Sequence, residues 1–101
     1  MSCPFCSVDE SQIAFSNDHV VAIWDGLPVS PGHLLIIPRR HVPVWANLSS
    51  SEKAEIWSTI EQGQRLISEG FHPDGFNVGF NESSASVQTA SHFHLHIIPR
   101  Y

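Results

Sequence analysis

An α+β fold, with a mostly antiparallel five-stranded sheet and one main helix, is what this 101-residue sequence predicts. Three observations carry that prediction. Short apolar or alternating runs recur at 13–16, 19–24, 34–37, 76–80 and 92–98, bounded by turn residues. One stretch alone, from Ser49 to Gly70, has helical spacing. Hairpin-like connections and a single helix on one face then give one domain over residues 1–101.

The elements follow in order. Ile13-Ala14-Phe15-Ser16 reads as a short strand closed by an Asn17-Asp18 turn, and 19–24 as a second, mostly apolar strand. Residues 28–32 are loop, punctuated by Pro31-Gly32. Leu34-Leu35-Ile36-Ile37 is apolar on both faces, which suits a central strand, and Pro38 stops it. Ser49 and Glu52 have capping-box spacing, so each side chain can satisfy a free amide at the other residue. Ile56, Ile60 and Ile67 then form a stripe that Trp57 and Leu66 widen toward the sheet, and Gly70 ends the helix. Residues 76–80 and 92–98 complete the strands.

Charge narrows the function. The net charge is −5, and Arg39, Arg40, Lys53, Arg65 and Arg100 are the only fixed cations. A chain that tracks a nucleic-acid backbone needs a basic stripe, so extended nucleic-acid binding is not expected. A small phosphorylated ligand needs one local positive site, which imidazoles and backbone amides supply. Met1 to Cys6 lacks the basic start and apolar run of a signal peptide, and no stretch approaches the roughly 20 apolar residues that span a bilayer. A cytoplasmic location without membrane contact is therefore expected.

Two motifs carry chemistry. In His92-Phe93-His94-Leu95-His96-Ile97-Ile98 three histidines alternate with apolar residues. On a strand all three imidazoles project from one face, spaced roughly 6.6 Å apart, while Phe93, Leu95 and Ile97 project from the other. Imidazole is a neutral nucleophile, a proton carrier near pH 7 and a zinc ligand, so the row suits attack on phosphorus through a phosphohistidine. His94, with a histidine on either side, is the best-placed nucleophile. Upstream, Asn77, Asn81, Ser83, Ser84, Ser86, Gln88 and Thr89 offer uncharged donors for phosphate oxygens or a leaving group. The plainer alternative is an edge strand with polar histidines outward, followed back to a solvated loop.

The second motif, Cys3-Pro4-Phe5-Cys6, lets two thiolates share one Zn²⁺ from a tight turn, with His41 and one clustered histidine completing the shell. A redox pair, a disulfide and free thiols are the alternatives. The first normally sits between a strand and a helix, and the second is disfavoured in a reducing compartment.

Together these residues resemble the histidine triad (HIT) superfamily of nucleotide hydrolases and transferases, marked by His-φ-His-φ-His-φ-φ, and specifically its bacterial zinc-containing branch. Cys3-Pro4-Phe5-Cys6 is similar to that branch's zinc knuckle. Trp24-Asp25, the run Pro28-Val29-Ser30-Pro31-Gly32-His33-Leu34-Leu35-Ile36-Ile37-Pro38-Arg39-Arg40-His41, Phe76 to Asn81 and Gln88-Thr89 resemble its other blocks. The resemblance implies that His94 attacks an α-phosphate and His96 contacts it. It implies that Asn81, Gln88 and Thr89 hold phosphate oxygens or the leaving group, that Asp25 takes the ribose hydroxyls, and that Ile23 packs on the base. Cys3, Cys6, His41 and His92 would hold a structural zinc ion, which removes His92 from the chemistry. The resemblance also implies a homodimer that joins two sheets.

This chain departs from the family where Val87 stands for a common Gly and where Ala90 and Ser91 precede the histidine row. Val resists backbone conformations open to Gly, so the phosphate loop is expected to differ in shape. The resulting reading is a hydrolase of nucleoside phosphoramidates or dinucleoside polyphosphates. A nucleotidyl transferase and a nucleotide-binding module with little turnover are the alternatives.

Overall fold

Strands that are apolar on both faces need cover on both sides, and the architecture supplies two different covers. The computed structural model describes residues 3, 5–82 and 92–101. In chain order it contains β1 (Ile13–Ser16), β2 (Val20–Trp24), β3 (Leu34–Pro38), α1 (Ser50–Phe71), β4 (Gly75–Phe80) and β5 (Leu95–Arg100), with short 3-10 turns at Glu10–Gln12 and Trp45–Asn47. The sheet order is β1-β2-β3-β5-β4 and every neighbouring pair is antiparallel. The predicted α+β class holds, and β3 is the central strand, as its two-sided apolarity requires.

Alternation sorts the core into two layers. Val20, Ala22, Leu34, Ile36, Leu95 and Ile97 point to one face and pack with Ile56, Ile60 and Ile67 of α1 and with Phe93. Val21, Ile23, Leu35 and Ile37 point to the other, where Phe5, Val8 and Ile13 of the N-terminal segment cover them. The helix lies close to the sheet because Gly63 carries no side chain. A Cβ there would stand 2.9 Å from a Leu34 methyl and 3.0 Å from an Ile97 methyl.

The capping box forms as predicted: Ser49 Oγ accepts from the Glu52 amide, and Glu52 Oε1 accepts from the Ser49 amide at 2.7 Å. Glu52 is buried and paired with Arg40 at 2.8 Å, which holds its carboxyl at about 2.

Several boundaries differ from the sequence reading, each for a local reason. β2 starts at Val20 rather than His19, whose amide donates to Glu55 Oε1 instead of to the ladder. Pro38 belongs to β3, opposite Val20, since it needs no donor at the strand's end. The helix passes Gly70 to Phe71 and ends at His72 in the left-handed conformation, φ 54°, followed by Pro73. Trp57 and Leu66 do not widen the stripe toward the sheet; they are 67% and 37% exposed. Thr59 and Gly63 complete it instead, small residues that allow close approach. The last strand is Leu95–Arg100, so His92 and His94 precede it and only His96 lies within it. It is an interior strand between β3 and β4, not an edge.

Candidate active site

Register builds one wall of a cleft. Ile23 pairs with Leu35, Leu35 with His96 and His96 with Gly79, placing Ile23, Leu35 and His96 in one row on the sheet face opposite the helix. His94, two residues before His96, shares that face, and the two rings lie 5.1 Å apart. Asp25 follows the end of β2. With Phe5, Val8, Gln12, Trp24 and Gly26 these residues line a cleft of about 250 Å³. Apolar walls and a few convergent polar groups are the usual make-up of a small-molecule site.

Hydrogen bonds set each imidazole's tautomer. His94 Nδ1 donates to the His92 carbonyl at 2.8 Å, which puts the lone pair on Nε2, without a partner among the described residues. His33 Nδ1 accepts from the Val29 amide at 3.1 Å, so its proton sits on Nε2 and is donated to His96 Nδ1 at 2.9 Å. His96 therefore carries its own proton on Nε2. Asp25 Oδ2 lies 3.5 Å from His33 Nε2, and its Oδ1 accepts from the Leu27 amide.

Burial lowers the pKa of both His33 and His96. The neighbouring His94 and His33 lower His96 further, Arg100 lowers His33 further, and Asp25 opposes the shift in each. Both are held neutral near pH 7, one an acceptor and the other a donor. The turn that aims His33 depends on Gly32, whose φ is +89° and where a Cβ would stand 3.0 Å from the Phe71 ring.

A second cluster lies behind the first. Cys3 Sγ is 3.3 Å and Cys6 Sγ 3.5 Å from His92 Nδ1, Cys6 Sγ is 3.2 Å from His41 Nδ1, and all four ligand atoms lie within 4.8 Å of one another. His92 Nε2 donates to the Pro38 carbonyl at 2.8 Å, which turns the Nδ1 lone pair toward the thiols. Tetrahedral zinc with bonds of about 2.3 Å to sulfur and 2.0 Å to nitrogen sets S–N separations of roughly 3.5 Å. The residues present fit such an ion, in donor type and in spacing. The segments bearing the two histidines are joined by a backbone bond from the Phe93 amide to the Val42 carbonyl.

The structure thus brings together Ile23, Asp25, His94 and His96 in the cleft, and Cys3, Cys6, His41 and His92 behind it. The row divides: His94 and His96 line the cleft, while His92 turns to the cysteines. Asn81 is exposed just past β4 and is not among the cleft-lining residues. Gln88 and Thr89, with Ser83, Ser84, Ser86 and the departures at Val87, Ala90 and Ser91, lie outside the described residues. Asn77 accepts from Arg100 at 2.6 Å, across the β4–β5 pair. His33 is the site residue that sequence reasoning missed. The available signal was parity: it shares the face of Leu35, which pairs with His96.

Comparisons with known proteins agree with the fold. Residues 7–101 match the HIT domain family. The chain is similar to a bis(5'-adenosyl)-triphosphatase of Dictyostelium discoideum, 32% identical over 92% of this chain and 62% of the relative. It is also similar to an AP-4-A phosphorylase of Mycobacterium tuberculosis, 34% identical over 97% of this chain and 51% of the relative. These two relatives are thus considerably longer than the chain. Among solved structures, a HIT-family protein from Bacillus subtilis superimposes with a TM-score of 0.92 at 30% identity, covering all of this chain and 74% of that one. A zinc-bound histidine triad family protein from Mycobacterium smegmatis gives 0.80 at 30% identity, over 88% of this chain and 65% of that one.

Proposed function

Because the chain belongs to the HIT domain family, we propose that it is a nucleotide hydrolase, opening a dinucleoside polyphosphate or nucleoside phosphoramidate at the α-phosphate through a nucleotidyl-His94 intermediate. One observation carries the reading. His94 lines the cleft with its Nδ1 proton committed to the His92 carbonyl, so Nε2 is the free nucleophile. Nε2 attacks phosphorus, the bond to the leaving group breaks, and that group departs with the bonding pair, a polyphosphate as its anion and an amine after taking a proton from solvent. The ring then carries positive charge, which the His92 carbonyl stabilises through the retained Nδ1–H. Water next attacks the adduct, the P–N bond returns its pair to His94, and the water proton passes to solvent. His96 Nε2–H donates to a phosphate oxygen in both steps, held in that tautomer by His33.

Asp25 is assigned to the ribose hydroxyls and Ile23 with its apolar neighbours to the base, in keeping with their neighbouring places in the cleft lining at the end of β2. Asn81, Gln88 and Thr89 are assigned to phosphate oxygens or the leaving group on the resemblance alone. Cys3, Cys6, His41 and His92 hold a structural Zn²⁺, supported by their donor set and by the zinc-bound relative. The ion ties the terminal segment to the sheet and takes no part in the displacement. β4 is an edge strand with exposed Val78 and Phe80, beside an apolar groove of about 240 Å³ that includes Trp45, Trp57 and Phe80. This face is assigned to a second copy of the chain, giving a homodimer. A reducing, cytoplasmic setting suits the free thiols.

The deciding experiment is a panel of adenosine phosphoramidates and dinucleoside polyphosphates with trapping of the histidine adduct. Turnover with label on His94 is expected; turnover with no adduct would exclude the two-step route, and binding without turnover would leave a nucleotide-binding module. The relative named a phosphorylase favours a second reading, in which inorganic phosphate replaces water as acceptor. Added phosphate would then change the product, not only the rate. Metal analysis of purified protein should return one zinc per chain, and the mass in solution should be that of a dimer.

A further inference from the structure

Phe5 is placed by the two cysteines that flank it at Cys3 and Cys6, yet its ring belongs to the other site. The ring centroid lies 4.9 Å from that of His94, tilted by 49°, and meets His92 edge-on at 6.0 Å. It lines the main cleft together with His94 and Ile23, and also an adjoining cavity of about 190 Å³ beside Val21 and Ile37. Its backbone has little freedom of its own, because the Cys6 amide donates to the Cys3 carbonyl at 3.1 Å and closes the turn around it. Both thiols in turn face imidazoles anchored elsewhere: His41 after β3 and His92 before β5.

We propose that Phe5 is a positioning residue that couples occupancy of the Cys3–Cys6–His41–His92 centre to nucleotide affinity in the cleft. This rests on the metal and nucleotide readings above. With both thiols bound to a common ion, the turn is pinned and the ring is held as a wall of the cleft, against His94. With the thiols released, the turn loses its tie to His41 and His92, the segment ahead of β1 is left to the packing of Phe5 and Val8 on the sheet, and the wall loosens. The nucleophile itself is unaffected, since the His94 Nδ1–H bond to the His92 carbonyl does not run through the segment. The coupling therefore acts on binding and leaves the attacking atom in place.

Linkage makes the test reciprocal, because two sites coupled through one residue change each other's affinity by the same factor. Adenosine monophosphate is the probe, titrated by calorimetry into zinc-loaded and zinc-free protein. In parallel, zinc affinity is measured by competition with a chelator, with and without the nucleotide. The expected result is about tenfold tighter nucleotide binding in the zinc-loaded protein, and the same factor on zinc affinity when nucleotide is present. Phe5→Ala should keep its zinc, bind nucleotide about as weakly as the zinc-free wild type, and lose the reciprocal effect. Phe5→Leu, which keeps apolar bulk, should fall between.

If the zinc-free chain loses its fold, the zinc competition on loaded protein still decides the matter, for it needs no isolated apo form. Zinc affinity indifferent to nucleotide would overturn the proposal. So would undiminished coupling in Phe5→Ala, which would place the link in other residues. Failure of the underlying readings looks different: no stoichiometric zinc removes the metal centre, and no nucleotide binding by either form removes the cleft assignment.

Discussion

The two faces of the sheet are built from the same strands and covered in opposite ways. One lies under the 22-residue helix α1 and is closed by Ile56, Ile60 and Ile67, with Gly63 drawing the backbone down onto Leu34 and Ile97. The other carries four buried aliphatic residues, a thin cover of Phe5, Val8 and Ile13, and the histidines. The first face is covered by a helix and apolar, and the second is a floor with a polar opening. Period-two alternation lets neighbouring residues on one strand serve different ends: Leu95 and Ile97 pack under the helix while His96, between them, faces the cleft. Stability and chemistry are thereby separable by substitution.

The largest effect expected is on the open face. His94→Ala should lower turnover by on the order of 10⁴-fold, with zinc content unchanged, because it removes the only atom that forms the covalent bond. Undiminished turnover would sink the nucleophile assignment. The matching change on the closed face is Ile67→Ala. It should cost about 2–5 kcal/mol of stability in a denaturant titration, with kcat of the folded protein unchanged. A comparable loss of kcat there would mean that the faces are not independent.

A smaller effect sharpens the polar floor. His33→Phe should lower kcat by about 10–100-fold by removing the donor that fixes the His96 tautomer. The wild-type pH profile is the companion measurement. Burial lowers both His33 and His96, so the neutral forms persist below the ordinary histidine midpoint of 6.5, and activity should be lost only as pH falls beneath it. The groups facing the pair are His94, Asp25 and Arg100, and Asp25 alone raises the two values. A midpoint above 6.5 would contradict the tautomer scheme.

The smallest effect concerns the helix start. The Glu52 carboxyl sits at about 2 against an ordinary 4.5, chiefly through the Arg40 hydrogen bonds. A depressed carboxylate adds stability that is complete above 4.5 and is lost as pH falls toward 2. Acid unfolding of wild type should show that loss. Glu52→Gln should be destabilised at pH 7 by about 1–3 kcal/mol and flatter over the same range.

The parts of the molecule that were legible in sequence are those set by local rules. The capping box at Ser49 and Glu52, the two-sided apolarity of β3 and the C-x-x-C turn each depend on a few neighbouring positions. What was not legible depends on close approach or on distant pairing. Thr59 and Gly63 carry no apolar signal, yet they complete the helix stripe, Gly63 because the sheet comes within reach of its backbone and Thr59 because its buried hydroxyl is bonded to Asn17 and the Glu55 carbonyl; Trp57 and Leu66 carry a strong signal and face out. His33 sits beside Pro31-Gly32, which marks a loop, and its partner His96 is 63 residues away. The histidine row was visible as a pattern, and its division was implied by the family resemblance, not by the spacing, which gives the three imidazoles one face. That His92 leaves the row follows from the Pro38 carbonyl that claims its Nε2.

The backbone bond from the Phe93 amide to the Val42 carbonyl divides the four-residue cluster into two halves. It fastens together the chain on either side of His41 and His92, and Arg40 ties the same loop to Glu52 at the helix start. Two of the four donors thus belong to the folded body before any ion arrives, and the other two ride on a terminal segment. An ion held there would join the two halves, so its loss should free the terminal segment and leave the imidazoles in place.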